Sequence, residues 1–136
     1  MSFIKAKAAH IKLGQRGEDA ACRLLRAKGL EILARDCKTP RGEIDIVARD
    51  GATLVFAEVK TKRSSSRSRP AENLTLRQKA RIYRAAFNYM KEIGRPAVPF
   101  RFDIVEVSMG AWGPKAIWHW PASFGEESLR RGSWSR

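Results

Sequence analysis

One stretch constrains the rest of this chain: Gly42 to Lys62, reading GEIDIVARDGATLVFAEVKTK. Two runs rich in Ile, Val, Leu and Phe flank Asp50-Gly51, a dipeptide suited to the positive φ angles of a two-residue hairpin turn. With those residues at the turn, Arg49 faces Ala52, Val47 faces Leu54, Asp45 faces Phe56 and Glu43 faces Glu58. Strand side chains alternate with period two. One face therefore carries Glu43, Asp45, Val47, Leu54, Phe56, Glu58 and Lys60, and the other Ile44, Ile46, Ala48, Val55, Ala57 and Val59. The second face is wholly apolar and belongs against a core.

The first face carries a conflict. Asp45 and Glu58 become diagonal cross-strand neighbours, roughly 7 to 8 Å apart at the backbone and near enough to lean toward one ion, with Lys60 one step further on. Taking a charge out of water is costly unless it is paired or bound to a metal. Two arrangements meet that requirement. Either the face is open to solvent, with Lys60 pairing Glu58 or Glu43, or it encloses a cation.

A length of 136 residues suits one domain with a single core. Lys and Arg number 27 against 14 Asp and Glu, a formal charge of +13. That balance points to a polyanionic partner, nucleic acid before an anionic membrane surface, against the plainer reading of charge that serves only solubility. Cys22 and Cys37 lack any metal or redox spacing and read as small buried apolar residues. Neither a signal-peptide core nor a bilayer-length apolar run is present, so a cytoplasmic location is expected.

In chain order, residues 1–8 read as a basic lead-in and a first helix as running from Ala9 to Lys28, stopped by Gly29. Glu18 projects to the side of Ala21 and Leu25, which aims a carboxylate at the core; the competing reading is an acid favoured by the helix dipole. Gly14 and Gly17 each cost a helix roughly 1 kcal/mol against alanine, which suggests backbone in close approach to something else. Leu30 to Cys37 reads as a strand with Leu30, Ile32 and Ala34 on one face. Lys62 to Pro70 is a Ser/Arg-rich loop, either a phosphate-contacting arm or a plain linker.

A second helix spans Thr75 to Ile93, with Leu76, Ala80, Tyr83, Phe87 and Met90 as its apolar stripe. Thr75 and Gln78 fit a capping box, and Arg77, Lys79, Arg81 and Arg84 load its early turns with positive charge. Pro99 to Val107 is a strand parallel to the Glu58 strand, because a helix joins the two. Lys115 to Trp120 reads as a last, edge strand with His119 an ordinary member, and 121–136 as a polar tail.

The order helix, three strands, helix, two strands, carrying Glu18, Asp45 and Glu58-Val59-Lys60, resembles the PD-(D/E)xK, restriction-endonuclease-like superfamily. More narrowly, Gly14-x-x-Gly17-Glu18, Gly42-Glu43-Ile44-Asp45, Phe56-Ala57-Glu58-Val59-Lys60 and Arg101-Phe102-Asp103 resemble the UPF0102, YraN-type family of small bacterial proteins, over roughly residues 11 to 120. Ile44 stands where the superfamily consensus has proline. The resemblance implies an α/β fold with a mixed sheet: an αβββαβ core flanked by helices, in a single domain, 1–120.

It also implies phosphodiester hydrolysis with Mg²⁺ or Mn²⁺. Asp45, Glu58 and the backbone carbonyl of Val59 would be metal ligands, with Glu18 completing or hydrogen-bonding the shell. Lys60 is implied to hold or deprotonate the attacking water and to offset transition-state charge, and Gln78 to orient a phosphate or Lys60. Arg63, Arg67, Arg69, Arg77, Lys79 and Arg81 are the expected nucleic-acid contacts. Small basic members of the superfamily include Holliday junction resolvases, which are dimers, so branched DNA and a homodimer are implied as well. Two other readings stay open: a non-catalytic nucleic-acid-binding module that keeps the fold, and an adaptor for an acidic protein or anionic lipid.

Overall fold

The computed structural model describes residues 3–64, 74–94 and 96–124, with side chains from residue 8 onward except that of residue 10. The elements are α1 (Phe3–Ala27), β1 (Glu31–Thr39), β2 (Gly42–Asp50), β3 (Thr53–Arg63), α2 (Leu76–Glu92), β4 (Phe100–Gly110) and β5 (Gly113–Phe124). The strands form one sheet in the order β1-β2-β3-β4-β5. Neighbours are antiparallel except β3 and β4, which α2 joins in parallel. This is the mixed α/β sheet of a restriction-endonuclease-like core. No helix among the described residues is long and apolar enough to cross a membrane.

Each face of the sheet buries its own cluster. Ala20, Ala21, Cys22 and Leu25 of α1 pack on Ile46, Ala48, Val55, Ala57, Val105 and Val107. Ile82, Ala85 and Ala86 of α2 pack on Ile44, Val47, Leu54, Phe56, Phe102 and Ile104 on the other face. Alternation on β2 and β3 therefore feeds two cores. Small residues on α1 let it sit close to the sheet: a Cβ at Gly17 would stand 1.9 Å from Thr61 Oγ1. Here is the close approach expected of the helical glycines; at Gly14 an added Cβ would meet nothing within 4 Å.

Several boundaries and registers differ from expectation. Helix α1 begins at Phe3, so the stretch read as a lead-in is helical from its third residue. The hairpin turns at Gly51-Ala52, because Asp50 pairs with Thr53, Arg49 with Leu54 and Val47 with Phe56. Gly51 alone of the two takes positive φ, at 60°, so the glycine sits at the first turn position, where a type II′ turn needs it. The shift is two residues, which leaves the face of each side chain unchanged.

In β1 the register slips between Ile32 and Ala34, and Asp36 takes a left-handed φ of 48°. Ile32 consequently faces α1 while Ala34 and Cys37 face α2. On β2, Ile44 also faces α2 rather than sharing a side with Ile46. The apolar stripe of α2 is rotated from its expected line: Leu76 and Phe87 are exposed, and Ala80, Ile82, Ala85 and Ala86 are buried. Strand β4 reaches Gly110 and β5 runs from Gly113 to Phe124, which takes in 121–124 of the expected tail.

Candidate functional site

Asp45 sits where β2 and β3 part. Their last pair is Ile46 with Ala57, and one step further Asp45 comes opposite Glu58. There Asp45 Oδ2 accepts the Val59 N–H at 2.8 Å. Directly opposed side chains lie closer than the diagonal neighbours expected from the sequence. Glu43, expected opposite Glu58, lies two residues further along β2.

Two cavities meet at Asp45. On the α2 side, a cavity of about 240 Å³ is lined by Glu43, Asp45, Glu58, Lys60, Gln78, Arg81 and Ile82. Lys60 Nζ lies 3.6 Å from Glu58 Oε1. On the α1 side, a cavity of about 220 Å³ is lined by Leu13, Gly14, Glu18, Asp45, Val59 and Thr61. Of the sequence candidates, Asp45, Glu58, Lys60 and Gln78 thus share the first cavity. Glu18 and Val59 line the second, and Asp45 belongs to both.

The electrostatics are those of crowded carboxylates. Burial, then the Asp45 charge, pushes Glu58 up to about 8 against the opposing pull of Lys60. Burial also raises Asp45, although the Val59 N–H and Lys60 favour its charged form. Glu18 is raised to about 7 by burial and then by Asp36 and Asp45, with Arg35 opposing. Its buried Oε1 makes no hydrogen bond; Arg35 Nη2 is 3.5 Å away and is held more closely, at 2.6 Å, by Asp19 Oδ1.

Asp36 was not singled out by the sequence. Carboxylate oxygens of Glu18, Asp36 and Asp45 all lie within 4.8 Å of one another. The β1/β2 register places Asp36 beside Asp45, between the Arg35/Ile46 and Cys37/Ile44 pairs. Pairing β1 with β2, as well as β2 with β3, is the signal that finds it. The donor set around Asp45 consists of hard carboxylate oxygens, the ligand type that a Mg²⁺-like ion takes.

Gln78 has a structural task. Its Oε1 accepts the Thr75 N–H at 2.8 Å while Thr75 Oγ1 accepts the Gln78 N–H at 3.1 Å, completing the capping box. Only its amide NH₂ remains to serve the cavity. Arg81, on the exposed side of α2, lines the same cavity. Arg77 is exposed on the first turn, and Lys79 Nζ lies 5.8 Å from the centre of the Phe124 ring. Arg63 is exposed at the end of β3. Arg67 and Arg69 lie outside the described residues.

The model of the family described as "Uncharacterised protein family UPF0102" matches residues 17–107. The chain belongs to the UPF0102 family. A UPF0102 protein of Symbiobacterium thermophilum is 42% identical over 102 residues, 75% of this chain and 86% of the relative. One of Chlorobaculum parvum is 42% identical over 105 residues, 77% and 81% respectively. One of Nocardia farcinica is 41% identical over 112 residues, 82% and 88%. The matched range of this UPF0102 chain includes every candidate metal ligand together with Lys60, Gln78 and Arg81.

Another buried carboxylate of the UPF0102 chain lies away from the two cavities. Asp103 is wholly buried; Arg101 Nε donates to its Oδ1 at 3.0 Å and the Ala122 N–H does so at 2.9 Å. His119 Nε2 is 2.7 Å from Asp103 Oδ2, and His119 Nδ1 is 2.8 Å from Lys28 Nζ. An ammonium can only donate, so Nδ1 accepts and Nε2 carries the proton given to Asp103. His119, its side chain 3% exposed, is thus a buried link between the turn after α1, β4 and β5 rather than an ordinary edge residue.

Proposed function

We propose that this protein is a divalent-cation-dependent nuclease that hydrolyses phosphodiester bonds in DNA, with branched DNA such as Holliday junctions among its substrates. The observation that carries the reading is the meeting of Asp45 and Glu58 beside Lys60, on the floor of a cavity whose α2 wall presents Gln78 and Arg81. Asp45, Glu58 and the Val59 carbonyl are the residues to hold Mg²⁺ or Mn²⁺, with Glu18 and Asp36 approaching Asp45 from the other side. Such a cation supplies Lewis acidity and an acidified water when bound.

The chain's own groups do the rest. Lys60 sets an ammonium beside Glu58, placed to hold a water and to offset charge on a phosphoryl oxygen. The Gln78 amide NH₂ and the Arg81 guanidinium can donate to phosphate oxygens from the opposite wall. The net charge of +13 draws a polyanion toward the cavity. A four-way junction presents two strands for cutting, so the proposal includes two copies of the chain acting together.

Incubation with labelled single-stranded, duplex and four-way-junction DNA in Mg²⁺ or Mn²⁺ tests this. Cleavage that Asp45→Asn and Lys60→Ala abolish is the expected result. Binding with no cleavage under any of these conditions would replace the enzyme with a non-catalytic nucleic-acid-binding module.

A further inference from the structure

The α2-facing side of the sheet continues past the candidate site. Lys60 of β3 pairs with Glu106 of β4, and Glu106 pairs with Trp118 of β5, so the three side chains share one face in a row across three strands. Two strand spacings separate Lys60 from Trp118, roughly 10 Å at the backbone. Trp120, two residues along, packs against the core cluster of this face. Trp118 lies beyond that cluster and is 39% exposed.

The intervening acid does not repel an anion unaided. Glu106 is fully buried, and Lys62 Nζ lies 3.7 Å from its Oε1. The same Lys62 Nζ is 6.0 Å from the centre of the Trp118 ring. Across the strands the row runs lysine, buried glutamate, indole, and the Lys62 ammonium lies beside the last two. A cationic track beside an aromatic face is the arrangement that receives one strand of nucleic acid: phosphates follow the lysines, and an unpaired base stacks on the ring. A paired base in a duplex has both faces covered by its neighbours and cannot stack there without being splayed out.

We propose that Trp118 is the stacking platform for an unpaired base, next to the phosphate that lies over Asp45, Glu58 and Lys60. The inference rests on the nucleic-acid reading above and narrows it to a substrate single-stranded on the β5 side of the site. Trp118 is then a binding and specificity residue. It discriminates a strand that offers a free base from one that does not.

Fluorescence anisotropy decides the matter, with Ca²⁺ in place of Mg²⁺ and three labelled probes of one length: a single strand, the same strand carrying abasic sites, and a duplex. Wild type, Trp118→Ala and Trp118→Phe are compared, each shown by its Tm to be folded. Trp118→Ala is expected to weaken single-strand binding by about 5- to 150-fold, the range given by stacking of one base. Trp118→Phe, which keeps an aromatic face, should recover most of that loss. The abasic strand and the duplex should show less than a twofold change. Equal single-strand affinity for wild type and Trp118→Ala overturns the platform while leaving nucleic-acid binding in place, as does an equal loss on all three probes. Absence of binding to every probe removes both the platform and the nucleic-acid reading.

Discussion

Asp45 Oδ2 takes the Val59 N–H at 2.8 Å, one residue past the last pair of the β2/β3 ladder. A side chain thereby accepts a backbone hydrogen bond at the point where the two strands separate. The separation opens the sheet between the two cavities, and the hydrogen bond fixes Asp45 where Glu18, Asp36 and Glu58 can all approach it. Loss of this carboxylate would remove the proposed cation ligand and a strand clamp together.

If the carboxylates around Asp45 hold a cation, as proposed, its binding is readable as stability. At a hundred times its Kd, a cation that binds only the folded state adds about 2.7 kcal/mol, several degrees of Tm in a chain of this size. Mg²⁺ or Mn²⁺ is expected to raise the Tm of the wild type and to leave that of Asp45→Asn within a degree or so. A scan of Tm against cation concentration reads this. Equal shifts for both proteins would place the cation elsewhere.

Without a divalent cation, Glu58 works against folding at high pH. Its carboxyl stands at about 8 in the folded protein, against an ordinary value of 4.5. The folded state therefore holds a proton that the unfolded chain releases. The favourable contribution is complete below the unfolded value and is lost as pH rises through the folded one. Glu58→Gln cannot ionise, so its stability relative to wild type should improve between pH 5 and pH 9 by roughly 4 kcal/mol. Urea titrations in EDTA at the two pH values measure the difference. A parallel fall of both proteins would assign the pH dependence to another group.

Gly17 sets the height of α1 over β3. An alanine there would bring its Cβ to 1.9 Å from Thr61 Oγ1 and 2.8 Å from Thr61 Cβ, so the helix must rise or the strand must yield. Gly17→Ala is expected to cost about 1 to 3 kcal/mol of stability. It should also lower any cation-induced Tm gain, because Glu18 is the next residue and moves with the helix. A double-mutant cycle with Thr61→Gly should return a coupling of about 1 kcal/mol or more. Simple additivity would deny the contact.

Much of this arrangement is written locally in the chain. The Thr75–Gln78 capping box depends on residues three apart, and it forms as read. Period-two alternation placed Val47, Leu54 and Phe56 opposite to Ile46, Val55 and Ala57, and a two-residue shift in register cannot disturb that parity. The shift itself was not legible, because Gly51 can serve as either central turn residue. Asp36 needed a left-handed backbone and an offset between β1 and β2, neither of which a strand pattern announces. Helix α2 turned its alanines inward where it passes over the start of β2: a Cβ at Gly42 would be in ordinary contact with the Arg81 carbonyl oxygen at 3.5 Å and the Ala85 Cβ at 3.6 Å. Its larger residues, Leu76 and Phe87, were left outside.

Asp103 offers a contrast with the site carboxylates. Burial alone would raise its pKa, but hydrogen bonds from His119, Arg101 and the Ala122 N–H outweigh burial and hold it below the usual range. A depressed carboxyl contributes stability above its unfolded pKa and loses it as pH falls through the folded value. Asp103→Asn leaves Arg101 and His119 without their shared acceptor charge and should cost about 3 kcal/mol near neutral pH. The penalty should shrink in strongly acidic solution. A constant penalty from pH 7 to pH 3, measured by urea titration, would show that Asn fails for reasons of shape rather than charge.

The wall and the floor of the α2-side cavity carry different cations. Arg81 lines that cavity from the exposed face of α2, whereas Lys60 lies on the floor beside Glu58. If Arg81 contacts a phosphate, removing its charge releases one fewer counterion when DNA binds. On duplex DNA, Arg81→Ala should then make the slope of log K against log salt shallower by about 0.9. Its affinity loss should be similar across sequences, because a phosphate contact carries no base information. Lys60→Ala is expected to abolish cleavage while most of the binding persists, since Lys60 is placed to act on the water and the phosphoryl oxygen beside Glu58 and is one of several cationic contacts. A titration series between 50 and 200 mM salt, conditions chosen to expose the counterion effect, distinguishes the two. An unchanged slope for Arg81→Ala would take the DNA backbone off the α2 wall and leave the β5 side of the sheet as the face along which the strand runs.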